Sequence, residues 1–372
     1  ELGRRFVDLP QREAPGNQPL GIEVLLDSAL VVDHQESRWT VLGERETALH
    51  LALLGSAPDV AHAPLSNTVD FYPASADSEH EANVRLAQAY IGLGEVYQAN
   101  VTRRIRVDGV ATGVEAHIAL ATQNPVAHGC YLRAQGIELI SNSMETLLTY
   151  APDSRMLSSF PIKGTRARAS VHEPGATEVL RSDPKERAEH VMIVDLVRND
   201  LGRVCDAGSV VVPELMDVEG YRGVWHGVSR VQGRLREDAT LGDAVAAVFP
   251  GGSITGAPKR RSVEVLDRIE REGRGFYTGS IGLLGPAGEL SMSILIRTLV
   301  RDDRGWSIGV GGGIVADSVP SNEVEEARTK IRVFEDVLGG RVSVPAEPSG
   351  QATDGAEHRE SRRLATGSAL SL

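Results

Sequence analysis

The sequence predicts an α+β fold in which long antiparallel strands are interspersed with helices. Three patterns support this prediction: alternation of apolar and polar residues over 97–107, apolar steps of three and four residues over 324–338, and turn sequences on both sides of an alternating segment at 290–300. Antiparallel strands combined with amphipathic helices are typical of α+β proteins. We therefore expect large antiparallel sheets with flanking helices.

Three segments are predicted to be helices, two from an apolar stripe and one from the signals at its ends. The first ends at Gly94 and has its stripe at Ala82, Leu86, Tyr90 and Leu93. The second begins at Asp183, has Pro184 in its first turn and ends near Gly202. The apolar face of the third consists of Val324, Ala327, Ile331, Phe334 and Leu338.

Two segments have the alternation of a strand with one apolar face. The first has its apolar side chains at Tyr97, Ala99, Val101, Ile105 and Val107. The second has them at Leu290, Met292, Ile294, Ile296 and Val300. Turn sequences at 285–288 and 302–305 flank this second segment, which predicts an antiparallel meander.

Composition limits the classes of partner. Lys and Arg number 39 against 51 Asp and Glu, so the net charge is −12 and repels both nucleic acid and anionic lipid. The two cysteines, Cys130 and Cys205, lie far apart and suggest neither a zinc site nor a disulfide framework, which fits a reducing cytoplasm. No apolar run of about 18 residues predicts a membrane span. Residues 341–372 have the composition of a disordered tail.

Two pairs of glutamates are candidates for a metal site. Glu186 and Glu189 lie three residues apart on one predicted helix, and Glu323 and Glu326 repeat this spacing on another. Four carboxylates that converge need a hard cation such as Mg2+ to neutralise them. Two ordinary structural roles are equally consistent with the spacing: Glu186 completes a capping box, and Glu326 forms a surface ion pair with Lys330.

Two glycine-rich segments and one lysine are further candidates. Residues 249–259 lead into a helix, so their backbone N–H groups predict an anion site, although the spacing is not that of a Walker A loop. Gly311–Gly313 end a strand, where a ligand could approach the backbone closely or the chain could simply turn. Lys163 lies between an apolar pair and Gly164, a setting in which burial would favour the neutral, nucleophilic amine over the default exposed lysine.

These motifs resemble the chorismate-utilising family, which includes anthranilate synthase component I, aminodeoxychorismate synthase component I, isochorismate synthase and salicylate synthase. The resemblance runs from about Val24 to Leu338 and is densest in 161–168, 186–204, 249–259 and 309–330. It implies the chorismate-utilising enzyme fold, with an abbreviated N-terminal region at 1–70 and a catalytic core at 71–340 in one compact unit. It also implies that the shortened region leaves tryptophan binding in doubt.

The resemblance assigns roles to single residues. It implies that Glu189 and Glu326 bind Mg2+ directly, with Glu186 and Glu323 beside them. It makes Glu145 the general acid for the departing C4 hydroxyl and places His226 near C2 of the ring. The residues that it implies in substrate binding are Gln98, Gly164, Thr165, Ser253, Thr255, Tyr277, Arg297, Gly311, Gly312 and Gly313.

Two positions favour one branch of the family. The branches that activate water have a lysine where this chain has Gln98, and a glutamine cannot act as a general base. Lys163 in Pro-Ile-Lys-Gly-Thr resembles the aminodeoxychorismate synthases, whereas anthranilate synthases typically have Ala there. The resemblance therefore implies amination of chorismate at C4 on the way to p-aminobenzoate, with Lys163 as the nucleophile and anthranilate synthase as the alternative. Because the chain has no Gly-x-Cys-x-Gly motif, a glutamine amidotransferase subunit is the expected source of ammonia.

Overall fold

The computed structural model of the protein describes residues 18–19, 21–24, 28–33, 38–43, 68–167, 178, 181–221 and 224–342. Two large sheets with helices packed against them make up most of this part of the chain, which confirms the predicted α+β class. None of the helices within these ranges combines the length and the apolar character needed to cross a membrane.

The described residues form strands, helices and one 3-10 turn. In chain order they are β1 (Ser28–Asp33), β2 (Arg38–Gly43), β3 (Asp70–Pro73), α1 (Asp77–Gly92), β4 (Gln98–Asp108), α2 (Gly113–Gln123), β5 (His128–Ala134), β6 (Ile137–Ser143), β7 (Thr146–Ala151), β8 (Met156–Phe160), β9 (Ile162–Ala167), α3 (Pro184–Gly202), β10 (Val211–Tyr221), β11 (Val224–Arg234), α4 (Leu241–Val248), a 3-10 turn (Gly252–Ile254), β12 (Gly256–Ala257), α5 (Lys259–Ile269), β13 (Ser280–Leu284), β14 (Leu290–Ile294), β15 (Thr298–Asp302), β16 (Gly305–Ile314), α6 (Pro320–Thr329), α7 (Arg332–Leu338) and β17 (Arg341–Val342).

The strands form two large sheets and one separate pair. The first sheet has eight strands in the order β17-β3-β4-β16-β15-β6-β5, with β12 beside β4. The second has seven strands in the order β10-β11-β8-β7-β14-β13, with β9 beside β11. Pairing is antiparallel throughout except between β17 and β3, and β1 pairs with β2. The long pairing of β16 with β4 sets the centre of the eight-stranded sheet, with Gly313 opposite Asn100.

Each sheet has its own apolar core. Side chains of α3 and α4 pack on β7, β8, β11 and β14 in one cluster, represented by Leu148, Leu157 and Leu201. Side chains of α2, α6 and α7 pack on the eight-stranded sheet in another, represented by Phe71, Leu120 and Phe334. The burial of these faces is what holds the amphipathic helices against the strands.

The first predicted helix forms, but its buried face differs from the predicted stripe. Gly94 ends it in the left-handed region, at φ +74°, as the sequence indicates. Leu93, however, is 57% exposed. The buried residues are His80, Val84, Ala87 and Tyr90. The predicted stripe is therefore wrong: the buried face is rotated about the helix axis relative to the prediction. The reason is that His80, a polar residue, was not expected in the interior. Tyr97, predicted within the following strand, precedes β4 and is 72% exposed.

The segment 290–300 is two strands, so the prediction of one strand is wrong. β14 belongs to the seven-stranded sheet and β15 to the eight-stranded sheet, and the chain passes between them at 295–297. Arg297 occupies the left-handed region here, at φ +48°. Leu295, expected on the polar face, is buried. The sequence alternation continues through the break, which is why it conceals the change of sheet.

Two further boundaries differ from the predictions. The last predicted helix is divided into α6 and α7, although its five apolar residues are all buried as expected. The predicted tail at 341–372 begins too early, because 341–342 form β17. Residues 343–372 lie outside the described residues, as does most of 1–70, so the division of the chain into these regions stays a prediction.

Candidate functional site

Lys163 and Gln98 meet at a glycine that brings the two sheets together. Lys163 lies on β9 of the seven-stranded sheet, and Gly313 lies on β16 of the eight-stranded sheet. A Cβ built on Gly313 would lie 2.7 Å from Nε2 of Gln98 and 3.0 Å from Nζ of Lys163. Lys163 is half-buried and Gln98 is fully buried. The nitrogen atom predicted to be the nucleophile therefore lies between the sheets.

The side-chain amide of Gln98 makes no hydrogen bond in the described part of the chain. Both its Oε1 and its Nε2 are buried without a partner. Leaving a buried amide unsatisfied costs roughly 1 to 3 kcal/mol per group, so such groups in proteins commonly face a ligand or a water molecule. The predicted role of Gln98 in substrate binding is consistent with this position.

The three glycines of β16 serve different contacts. None of them has a positive φ. Glycine is therefore needed at these positions because a side chain would not fit, and not because the backbone turns. A Cβ on Gly311 would lie 2.2 Å from the carbonyl oxygen of Val101 in the neighbouring strand. A Cβ on Gly312 would lie 2.9 Å from Oε2 of Glu323 and 3.4 Å from Oε1 of Glu326. Successive residues of a strand point to opposite faces, so these carboxylates and Lys163 reach β16 from different faces.

One face of β16 carries no side chain over a considerable length. Residues 309, 311 and 313 are all glycines that share this face, and at about 3.3 Å per residue they span roughly 13 Å. The ring of Tyr277 packs on the first of them, since a Cβ on Gly309 would lie 2.2 Å from its Cγ. Lys163 stands at the other end. This glycine face is therefore covered by Tyr277, by the backbone of Val101 and Thr102, and by Gln98 and Lys163.

Glu145 is a buried carboxyl group with one short hydrogen bond. It lies in the connection between β6 and β7 and is 6% exposed. Burial raises its pKa to about 7, although the Ser253 hydroxyl and the charge of Lys163 oppose this shift. Ser253 Oγ donates to Glu145 Oε1 over 2.6 Å. A carboxyl group that is about half protonated at neutral pH is suited to donate a proton.

The glycine-rich loop 249–258 is held by its own hydrogen bonds. Thr255 Oγ1 donates to the carbonyl of Gly251 over 2.8 Å, and the Thr255 carbonyl accepts from the N–H of Asn100. Arg274 donates to the carbonyl of Ile254 over 2.7 Å. The side chains of Ser253 and Thr255 are thus engaged within the protein, and their predicted contact with an anion stays a prediction.

His226 is buried and neutral near a second basic group. Its Nδ1 donates to the carbonyl of Gly164 over 3.2 Å, which fixes the proton on that nitrogen. Burial and the nearby charge of Arg297 lower the pKa of His226 to about 4. Arg297 is itself largely surrounded by protein, and burial lowers its pKa. Thr165 lies opposite His226 in the pairing of β9 with β11.

The two pairs of glutamates differ in their surroundings. Glu323 is 7% exposed and shares the space at Gly312 with the more exposed Glu326. Glu186 and Glu189 are half-buried on α3, where the N–H of Glu186 donates to Asp183 as expected for a helix cap. Among the residues that the structure describes, no three His, Cys, Asp or Glu side chains form an assembled metal site. The carboxylate oxygens at Gly312 are nonetheless the donors that Mg2+ prefers.

Lys330 lies close to several of the predicted site residues, although the sequence predicts only a surface ion pair for it. The expected ion pair with Glu326 is present, at 2.7 Å. Lys330 Nζ also donates to the carbonyl of Gly311 over 2.5 Å. Its charge helps to lower the pKa values of Glu145 and His226, for which burial is the largest cause of the shift. No local sequence signal indicates these long-range contacts.

Two cavities share Tyr277 in their walls. One is polar, measures about 230 Å³ and includes Thr102 and Arg104 in its wall. The other measures about 610 Å³ and is lined mainly by apolar residues such as Phe276 and Leu295. Lys163, Glu145 and His226 line neither of them. Burial raises the pKa of Tyr277, which is therefore a neutral phenol.

Comparisons with known proteins identify relatives of similar sequence. A relative named anthranilate synthase component 1 1, from Haloarcula marismortui, is 42% identical over 314 residues, which are 82% of this chain and 63% of that protein. Aminodeoxychorismate synthase component 1 of Escherichia coli is 35% identical over 334 residues, 89% of this chain and 73% of that protein. The chain spans 46 to 63% of the length of three of its relatives.

The fold comparison gives the same result. The crystal structure of anthranilate synthase component I from Streptococcus pneumoniae TIGR4 superposes with a TM-score of 0.73 at 30% identity, covering 83% of this chain and 72% of that one. The sequence model of the family described as chorismate binding enzyme matches residues 1–336. The chain therefore belongs to the family of chorismate-binding enzymes.

Proposed function

We propose that this chain aminates chorismate at C4 with ammonia and so forms 4-amino-4-deoxychorismate, the precursor of p-aminobenzoate. The observation that carries the proposal is the position of Lys163 Nζ at Gly313, next to the unsatisfied amide of Gln98. The charge of Lys163 also lowers the pKa of Glu145, so the two groups interact electrostatically. Lys163 is thereby the candidate nucleophile, and Glu145, on which its charge acts, is the candidate general acid.

The chemistry follows from these two groups. The amine of Lys163 attacks C2 of the ring, the double bond shifts, and the C4 hydroxyl leaves as water with the proton of Glu145. Ammonia then attacks C4, the double bond shifts back, and the lysine amine is released. The sum is chorismate and ammonia giving the 4-amino product and water, with the enolpyruvyl side chain retained.

The remaining residues bind and orient the substrate in this proposal. Arg297 is a donor for a carboxylate, and the guanidinium geometry suits a bidentate contact. The neutral ring of His226 faces the same region without adding a charge. Gln98, with both amide groups available, holds a polar atom of the substrate or the incoming ammonia. The ring of Tyr277 packs on the glycine face of β16 at Gly309.

Mg2+ is the proposed cofactor. Glu189 and Glu326 would bind it directly, with Glu186 and Glu323 beside them, and the bound ion would neutralise a carboxylate of chorismate. A glutamine amidotransferase subunit is the proposed source of ammonia, which the word component in the names of several relatives supports. A cytoplasmic location remains the expectation from cysteine usage.

Anthranilate synthase activity is the second candidate, because relatives with that name are as similar as the aminodeoxychorismate synthases. The two functions differ in where nitrogen is added and in whether pyruvate is released. Incubation with chorismate, Mg2+ and ammonium, followed by mass spectrometry and a pyruvate assay, separates them. We expect a 4-amino product with no pyruvate. Fluorescent anthranilate with an equal amount of pyruvate would replace the proposal with the second candidate.

A further inference from the structure

A buried ion pair closes the base of the glycine-rich loop. Lys259, the first residue of α5, donates from Nζ to Asp200 Oδ2 over 2.7 Å and to the carbonyl of Val248 over 3.0 Å. The side chains of Lys259 and Asp200 are 10% and 5% exposed. Val248 ends α4 just before the loop 249–258, and Lys259 follows the loop. One ammonium group therefore joins the two ends of the loop.

The same ammonium group stabilises a helix end. The last carbonyls of a helix have no partner within it and carry a partial negative charge, so a cation placed there is favourable. Lys259 Nζ supplies that charge to α4, with a second, longer contact of 3.4 Å to the carbonyl of Ala247. Asp200 lies in the last turn of α3. The pair thus ties α3, α4 and α5 to one another at the base of the loop.

The tip of the loop carries the group that contacts Glu145. Ser253 Oγ donates to Glu145 over 2.6 Å, and the loop is packed so closely on α3 that a Cβ on Gly252 would lie 2.3 Å from Cδ2 of Leu196. Glu145, Ser253 and Asp200 line one small cavity of about 20 Å³, room for about one water molecule. A shift of the loop base would consequently change the surroundings of Glu145.

We propose that Asp200 and Lys259 are a positioning pair, which holds the loop 249–258 so that Ser253 stays hydrogen-bonded to Glu145. The consequence for catalysis rests on the function proposed above, in which Glu145 is the general acid. Breaking a buried pair by removing one partner leaves an uncompensated charge, so a variant that neutralises both partners is the cleaner test.

The experiment measures the titration of Glu145 without substrate. Infrared difference spectra over a pH series, with the Glu145→Gln variant subtracted, report the protonated carboxyl of this residue. The other charges that act on Glu145 are Lys163 on β9 and Lys330 after α6, and both are unchanged in the variants. Because no chorismate is present, an error in the proposed reaction would not affect the result.

Ser253→Ala provides the reference shift. It removes a hydrogen bond to the charged carboxylate, so the pKa of Glu145 should rise by about 1 unit, the size of one such bond. The double variant Asp200→Asn with Lys259→Met should give a similar rise. Combined with Ser253→Ala, it should add no further shift. Lys259→Arg, which keeps the cation, should titrate like the wild type.

A matched control removes a different ion pair with a buried carboxylate. Glu138 on β6 bonds to Arg301 on β15 over 2.9 Å, outside the loop and outside the candidate site. The double variant Glu138→Gln with Arg301→Met should leave the Glu145 titration unchanged. If the neutral Asp200 and Lys259 pair does not fold, Asp200→Glu keeps the charges but lengthens one side chain, and a smaller rise is expected.

Two results would overturn the proposal. In the first, Glu145 titrates as in the wild type in the Asp200→Asn, Lys259→Met double variant, or in Asp200→Glu where that variant is needed. This would mean that the pair only stabilises the fold. A shift that is equally large with and without Ser253 would mean that the pair acts on Glu145 by another route.

Discussion

Ser253 Oγ donates a hydrogen bond of 2.6 Å to Oε1 of Glu145, although the two residues are 108 positions apart in the chain. This bond favours the charged carboxylate, while burial favours the neutral acid and raises the pKa of Glu145 to about 7. Burial is the larger effect. The residue can therefore give a proton near neutral pH and must be protonated before each turnover.

The rate of the first chemical step should depend on the protonation of Glu145. In single-turnover experiments with chorismate and Mg2+ but no ammonia, loss of the C4 hydroxyl should slow as pH rises through about 7, because the acid form is lost. Glu145→Gln should slow this step by roughly 10²- to 10⁴-fold and abolish the descending limb. A limb that persists in Glu145→Gln would assign it to another group.

The three adjacent glycines of β16 should respond differently to alanine. Gly311→Ala meets backbone and should lower the free energy of unfolding, whereas Gly313→Ala meets the ends of Gln98 and Lys163 and should lower kcat with a near-normal Tm. Gly312→Ala meets Glu323 and Glu326 and should alter the dependence on Mg2+. Thermal unfolding and Mg2+ titrations of activity distinguish the three. An identical effect at all three positions would refute the separate contacts.

The candidate metal ligands should differ from their neighbours in Mg2+ binding. Glu326→Gln and Glu189→Gln each remove a carboxylate, which should weaken Mg2+ binding and lower activity by orders of magnitude at limiting Mg2+, with partial rescue by excess. Glu325→Gln is the matched control, because Glu325 pairs with Arg328 on the exposed side of α6. Unchanged activity of the first two variants at limiting Mg2+ would remove these residues from the site.

His80 should make the protein less stable in acid. Its ring is 1% exposed, and neither ring nitrogen has a hydrogen-bond partner among the residues that the structure describes. Burial and the charge of Arg103 lower its pKa to about 4. Because the unfolded chain has the higher pKa, near 6.5, it binds the proton more strongly, and stability falls as pH drops from about 6.5 to about 4. His80→Leu removes this dependence and should gain about 2 kcal/mol more at pH 5 than at pH 8. Urea unfolding measures both values, and an equal difference at the two pH values would contradict the assignment.

Local patterns in the sequence predict much of the fold and less of the site. Gly94 and Asp183 mark helix ends correctly, and the apolar side chains of β4 are buried as its alternation predicts. Gln98, Asn100 and Thr102 on its polar face are buried as well, which the alternation does not predict. The break at Arg297 could not be predicted, because the apolar alternation of β14 continues into the connection to the other sheet. The predicted apolar face of α1 is wrong for a similar reason, because the burial of His80 is decided by neighbours that are distant in sequence.

The site residues were identified from motifs, whereas their contacts depend on the packing of the two sheets. Lys163 and Gly313 are 150 positions apart and meet only because β9 and β16 face one another. The contacts of Lys330 with Gly311 and of Lys259 with Asp200 likewise have no local signature. Single residues of this kind, read alone, are consistent with ordinary surface ion pairs.

The most direct test of the central proposal is the intact mass of the wild-type protein. The protein is incubated with chorismate and Mg2+ in the absence of ammonia, and the reaction is then quenched. We expect one added mass equal to chorismate less water, located on Lys163 by peptide mapping and absent from Lys163→Ala, which should be inactive or severely slowed in C4 amination. An unmodified wild type together with a fully active Lys163→Ala variant would contradict covalent catalysis by this lysine.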